Sequence, residues 1–132
     1  MSDLSVKAQE PRLSASSRWV LWTGLLAAVL GYGAVGYFLQ HARGLPGADA
    51  SAVATLRLIL GGLALSETAA IFALPHLLKD RSPALVGLIR WLMAESIAVY
   101  GLVLFVVGAP WSYFGVFLGW SLVLLAIHMP RD

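Results

Sequence analysis

The sequence predicts an all-α membrane protein: four transmembrane helices arranged as two hairpins, with both termini in the cytoplasm. Three observations lead there. Hydrophobic residues make up 59% of the chain and charged residues only 12%, whereas a soluble domain carries roughly a quarter charged residues to cover its surface. The mean hydropathy of +0.80 comes from four long apolar runs separated by turn residues. The basic residues gather at alternate ends of those runs, where they set topology.

The elements follow in order. Residues 1–17 are polar and mixed in charge, with Pro11 and a Ser14-Ala15-Ser16-Ser17 run, and read as a disordered cytoplasmic tail. A cleaved signal peptide would have a shorter apolar core and a small-residue cleavage site. The charge-free run over 19–39 spans a bilayer at about 1.5 Å per residue. Trp19 and Trp22 at one end and Tyr37 at the other match interfacial aromatic belts. Gln40 to Ser51, with Gly44, Pro46, Gly47 and Asp49, is a loop. The second helix, 52–74, holds Arg57 and Glu67 and is ended by Pro75. A short basic connector, His76 to Pro83, leads to the third helix at 84–107, which carries Arg90 and Glu95. Gly108-Ala109-Pro110 is a tight turn, and the fourth helix, 111–127, has no charged residue. Residues 18–132 thus form one transmembrane domain.

Lys7, Arg12, Arg18, Lys79, Arg81, Arg90 and Arg131 fall on the side of the termini and the connector; the other side has Arg43 and Arg57. This bias places both termini in the cytoplasm, in a cell inner membrane. The two hairpins also resemble each other. Arg18-Trp19 pairs with Arg90-Trp91, Tyr32-Gly33 with Tyr100-Gly101, and Ser66 with Ser121, each serine at the same distance before a proline. The charges are not repeated: Glu95 aligns with Ala27 and Glu67 with Leu122.

Several functions are excluded or disfavoured. A net charge of +2 gives no nucleic-acid footprint. The absence of cysteine rules out disulfides and thiolate chemistry. His41, His76 and His128 lie far apart at segment ends and do not make a metal site. There is no nucleophile–base pair, phosphate loop or cofactor motif, so an enzyme is not expected.

The chemistry lies in the charges inside the spans: Arg57, Glu67, Arg90 and Glu95. Each is costly in a bilayer, by roughly 2.5–3.5 kcal/mol on insertion scales. About the connector, Glu67 and Arg90 fall at equal depth, and a structural ion pair between them would lower the cost of both. Glu95 lies deeper by about five residues, roughly 7 Å. Arg90 is about 140° round the helix from it, so Glu95 has no evident cationic partner. A carboxyl in hydrocarbon without a cation favours its neutral form and can load and unload a proton. The hydroxyls of Ser96 and Tyr100 are placed to hydrogen-bond that carboxyl or to help ligate a small ion. Small residues at Gly31, Gly33 and Gly36 and at Gly61-Gly62 point to close helix packing, within the chain or between copies.

The stretch Ala94-Glu95-Ser96-Ile97-Ala98-Val99-Tyr100-Gly101-Leu102-Val103 resembles the carboxylate helix of the proteolipid, or c, subunits of rotary F-type and V-type ATP synthases. That helix reads as an acidic residue, a small residue, an apolar stretch and then Tyr-Gly-Leu-Val. The resemblance covers about 14 residues; Arg90 and Glu67 have no counterpart in the pattern. It implies Glu95 as a carrier of H+ or Na+, with Ser96 and Tyr100 at the positions that ligate the ion or hold the acid. It also implies assembly as a homo-oligomer or within a larger membrane complex. The glutamine that sodium-type members place on the partner helix is missing, since Gln40 sits at a segment end, which favours H+ over Na+.

Three functions are therefore in view. The first is a c-subunit-like protein that binds or translocates protons through Glu95. The second is a non-transporting scaffold or accessory subunit whose buried charges only hold helices together. The third is a small proton-coupled transporter, although such four-helix antiporters typically carry the acid in the first helix, which here has no charge.

Overall fold

The fold follows from four helices in sequence. The structure, a computed structural model, describes residues 14–42 and 50–131; residues 1–13 of the expected tail and most of the first loop lie outside that range. The helices are α1 (Ala15–Ala42), α2 (Ala50–Leu77), α3 (Pro83–Val106) and α4 (Trp111–Ile127). The first three are long and apolar enough to cross a membrane, and α4 is a shorter apolar helix of 17 residues. The chain is thus an all-α, multi-pass membrane protein.

Local chemistry sets the ends. Ser14 caps α1: the Ser17 amide donates to its Oγ at 3.2 Å, satisfying one of the amides that a helix start leaves unpaired. The serine run therefore begins a helix instead of belonging to the tail. Ser82 caps α3 in the same way, accepting from the Leu85 amide at 3.2 Å, with Pro83 at the first helical position. Pro75 does not end α2, which continues to Leu77. It removes one amide from the helical ladder, and the next turn is kept by the Leu78 amide donating to the Leu74 carbonyl at 2.8 Å.

Between α3 and α4 the chain reverses at Gly108, whose φ is 107°. The Gly108 amide donates to the Phe105 carbonyl at 3.0 Å and the Ala109 amide to the Leu104 carbonyl at 2.9 Å. This pair of bonds is a Schellman cap, and the left-handed backbone it needs favours glycine.

α3 is the centre of the bundle. It packs on α1, α2 and α4, and α4 packs also on α1. Among the described residues α1 and α2 do not pack on each other, so of the two expected hairpins only the second, α3 with α4, is in contact. Along α3, Trp91, Ala94, Ile97, Ala98, Leu104 and Phe105 are buried, at the spacing of a helix face that meets neighbours on several sides. α4 meets it with Phe114, Phe117, Leu124 and Leu125, all buried. The approach is closest at Gly101, where an added Cβ would lie 2.5 Å from Phe117 Cβ. Gly36 of α1 makes a similar approach to α4, since a Cβ there would lie 2.8 Å from Phe114 Cε1. Outward-facing residues include Val20, Phe38, Leu58, Leu65, Phe72, Val116 and Val123. An apolar surface this extensive suits lipid and not water.

Polar side chains stitch the helices where the backbone cannot. Trp22 Nε1 donates to the Leu125 carbonyl at 2.9 Å, and Trp91 Nε1 to the His128 carbonyl at 2.7 Å. These bonds put the starts of α1 and α3 beside the end of α4, at one end of the bundle. At the opposite end Arg57 donates to the Tyr113 hydroxyl, with its guanidinium 5.2 Å from the ring centroid. Buried Ser121 donates to the Ala94 carbonyl at 2.6 Å, whereas Ser66 bonds back to Gly62 on its own helix. The two serines that correspond in the sequence repeat are therefore not equivalent in space.

Candidate functional site: two carboxyls on either side of α3

Glu95 sits halfway along α3 and is half-buried. Its Oε1 accepts a hydrogen bond of 2.8 Å from the Tyr32 hydroxyl of α1. The hydroxyls that the sequence assigns to it go elsewhere. Ser96 donates to Oε2 of Glu67 at 2.6 Å, and Tyr100 donates to Oε1 of the same carboxylate. The reason lies in helix geometry. Ser96 and Tyr100 are four apart and share a face of α3, while Glu95 is about 100° away from Ser96. α3 therefore presents Glu95 toward α1 and the two hydroxyls toward α2.

The expected ion pair of Glu67 with Arg90 is not formed. Among the described residues neither Glu67 nor Glu95 takes part in an ion pair, and the Arg90 Nε is buried with no hydrogen-bond partner. Equal depth of the backbones was not sufficient. Side chains on a helix lean toward its N-terminus. In antiparallel α2 and α3, Glu67 thus leans away from the connector, whereas Arg90 leans toward it. Ser96 and Tyr100 lie further along α3 and lean back to meet Glu67.

Tyr32 is the member of this cluster that sequence reasoning did not assign. Its signal was present in the paired motifs Tyr32-Gly33 and Tyr100-Gly101. Each tyrosine donates to a glutamate on a neighbouring helix, and each glycine faces α4, with an added Cβ lying 3.1 Å from Leu118 at Gly33 and 2.5 Å from Phe117 at Gly101. The small residue brings the helix close to α4, and the tyrosine beside it reaches past to the acid.

The hydrogen bonds around Glu67 suit either protonation state of that acid. Ser96 Oγ lies 2.6 Å from Glu67 Oε2 and 2.7 Å from the Met93 carbonyl, but a hydroxyl has one proton to give. When Glu67 is ionised, Ser96 donates to it. When Glu67 is protonated, its O–H donates to Ser96, and Ser96 donates to Met93. Tyr32 and Tyr100 donate to a carboxyl oxygen in both cases. Arg57 lies on the exposed surface at the far end and is not part of this arrangement. Among the described residues no three His, Cys, Asp or Glu side chains come together in a group able to hold a metal. No family model matches this chain, and neither a curated protein nor a solved structure matches it.

Proposed function

We propose that this chain is a small membrane protein that binds or translocates protons on two mid-membrane carboxyls, Glu95 and Glu67, with Tyr32, Ser96 and Tyr100 as the hydroxyls that hold them. One observation carries the reading. Both carboxyls lie inside the bundle and are met by hydroxyls alone, with no cation among the described residues to fix their charge. A carboxylate fixed by an arginine would stay charged; a hydroxyl-lined one can change state in place. The short likeness of the Glu95 helix to proteolipid subunits supports the same chemistry. In this reading H+ is the ion rather than Na+, both termini face the cytoplasm of a cell inner membrane, and the chain works as a homo-oligomer or in a larger complex.

The test is labelling with dicyclohexylcarbodiimide, which attacks protonated carboxyls in apolar surroundings. Peptide mapping of the folded protein is expected to find the adduct on Glu95 or Glu67, with labelling that falls as pH rises. If neither residue is labelled at any pH while the protein stays folded, the proposal fails.

A second reading, a non-transporting scaffold, is favoured by one feature. The two carboxyls tie α1 and α2 to α3, and among the described residues α1 and α2 do not pack on each other. In that case Glu95→Gln lowers stability and leaves any proton flux in proteoliposomes unchanged.

A further inference from the structure

At the end of the bundle where α1 and α3 begin and α4 ends, two cavities open on either side of Arg90. The larger, about 470 Å³, lies between Phe72 of α2, Trp91 of α3 and the end of α4, with His128 and Arg131 on its rim. The smaller, about 240 Å³, is bounded by the connector, with Lys79 and Arg81 on its rim and Leu78 and Val86 in its wall. Arg90 and Gly87 line both. Among the described residues no carboxylate lines either one.

The two cavities therefore form one groove with an arginine in the middle, cations at the mouth and apolar walls. Arg90 lies within α3, about 10 Å from its start, and a side chain there leans toward that end of the helix. Its Nε is buried and lacks a hydrogen-bond partner among the described residues. A guanidinium placed in this way offers several N–H donors in a plane, the arrangement that binds phosphate oxygens. Basic pockets between transmembrane helices on the positively charged side take anionic headgroups, and the apolar side chains of the walls, Phe72, Ile127, Leu78 and Val86 among them, offer a surface to acyl carbons.

We propose that this groove binds an anionic phospholipid, with the phosphodiester on Arg90, the headgroup against Lys79 and Arg131, and acyl chain along Phe72 and Leu78. The site is separate from the carboxyls beside α3 and does not depend on their function.

The experiment is native mass spectrometry of the full-length protein released from phosphatidylcholine nanodiscs containing a minor fraction of phosphatidylglycerol. Wild-type protein is expected to retain phosphatidylglycerol over phosphatidylcholine. Arg90→Gln is expected to lower that preference about fivefold, the effect of one basic side chain near an anionic lipid. Gly87→Leu leaves every charge in place and fills the groove. An added Cβ there meets only Trp91 Cζ2 at 3.9 Å, an ordinary contact, and leucine is the better helix former. This variant is expected to fold and to lose the retained lipid. Arg57→Gln, at the opposite end, is expected to change nothing. Inorganic phosphate added before release is expected to leave the bound lipid in place. Equal retention of the two lipids by wild type, or unchanged preference in folded Gly87→Leu, overturns the proposal. So does displacement of phosphatidylglycerol by phosphate alone, which would make the site one for the free anion.

Discussion

Replacing Gly101 with alanine tests the packing that holds α3, and with it both carboxyls, in place. The new Cβ would stand 2.5 Å from Phe117 Cβ and 3.4 Å from the Phe114 carbonyl oxygen. Carbon atoms in contact sit about 3.5–4.0 Å apart, so α4 must move off α3 by about 1 Å or distort locally. Neither Phe117 Cβ nor a helix carbonyl can rotate away. Overpacking of this kind costs about 1–3 kcal/mol, and the better helix propensity of alanine returns about 1 kcal/mol. Gly61→Ala supplies the control, because nothing lies within 4 Å of an added Cβ there, and only the propensity gain remains. Denaturant titration in mixed micelles is therefore expected to place Gly101→Ala below Gly61→Ala by about 1–3 kcal/mol. If the two variants are equally stable, or Gly101→Ala is the more stable, the close α3–α4 approach is not a real constraint on the fold.

Three further outcomes follow from individual contacts. Tyr32→Phe removes the donor to Glu95 and is expected to lower stability by about 1–3 kcal/mol; it should also alter carbodiimide labelling at Glu95 more than at Glu67, which peptide mapping reads directly. Gly108→Ala forces an alanine into left-handed backbone, at a cost of about 1–2 kcal/mol, visible as a lower unfolding midpoint. Burial, with the charge of Arg90 adding to it, holds the His128 imidazole below its ordinary value, against the opposing effect of its bond to the Leu124 carbonyl. The unfolded chain then binds the proton more readily, so the contribution of neutral His128 is complete above about pH 6.5 and is lost as pH falls below it. His128→Gln is expected to flatten stability against pH in that window.

Much of the fold was legible because it rests on periods and end signals that act locally. Long apolar runs, Ser82-Pro83 before α3 and Gly108 after it define helices without reference to neighbours. The ends that differed also have local causes: the Ser14 hydroxyl caps a helix that starts earlier than composition implied, and Pro75 interrupts one hydrogen bond without stopping α2. The site was less legible because it depends on rotation and lean between helices. Sequence position places Glu67 level with Arg90, yet the opposite lean of antiparallel side chains separates them and sends Glu67 to Ser96 and Tyr100. The partner of Glu95 lies on α1, far away in sequence, and was marked only by the likeness of Tyr32-Gly33 to Tyr100-Gly101. The order of packing was likewise hidden, since consecutive helices are ordinarily neighbours, whereas here α3 separates α1 from α2.

The central claim is that carboxyls in the middle of this bundle change protonation in place, and infrared difference spectroscopy of the reconstituted protein across a pH titration measures that directly. A carbonyl band of protonated carboxylic acid is expected in the wild type, to decline as pH rises, to shrink in Glu95→Gln and in Glu67→Gln, and to vanish when both are changed. A spectrum with no such band at any pH, or one that survives the double substitution unaltered, contradicts the account.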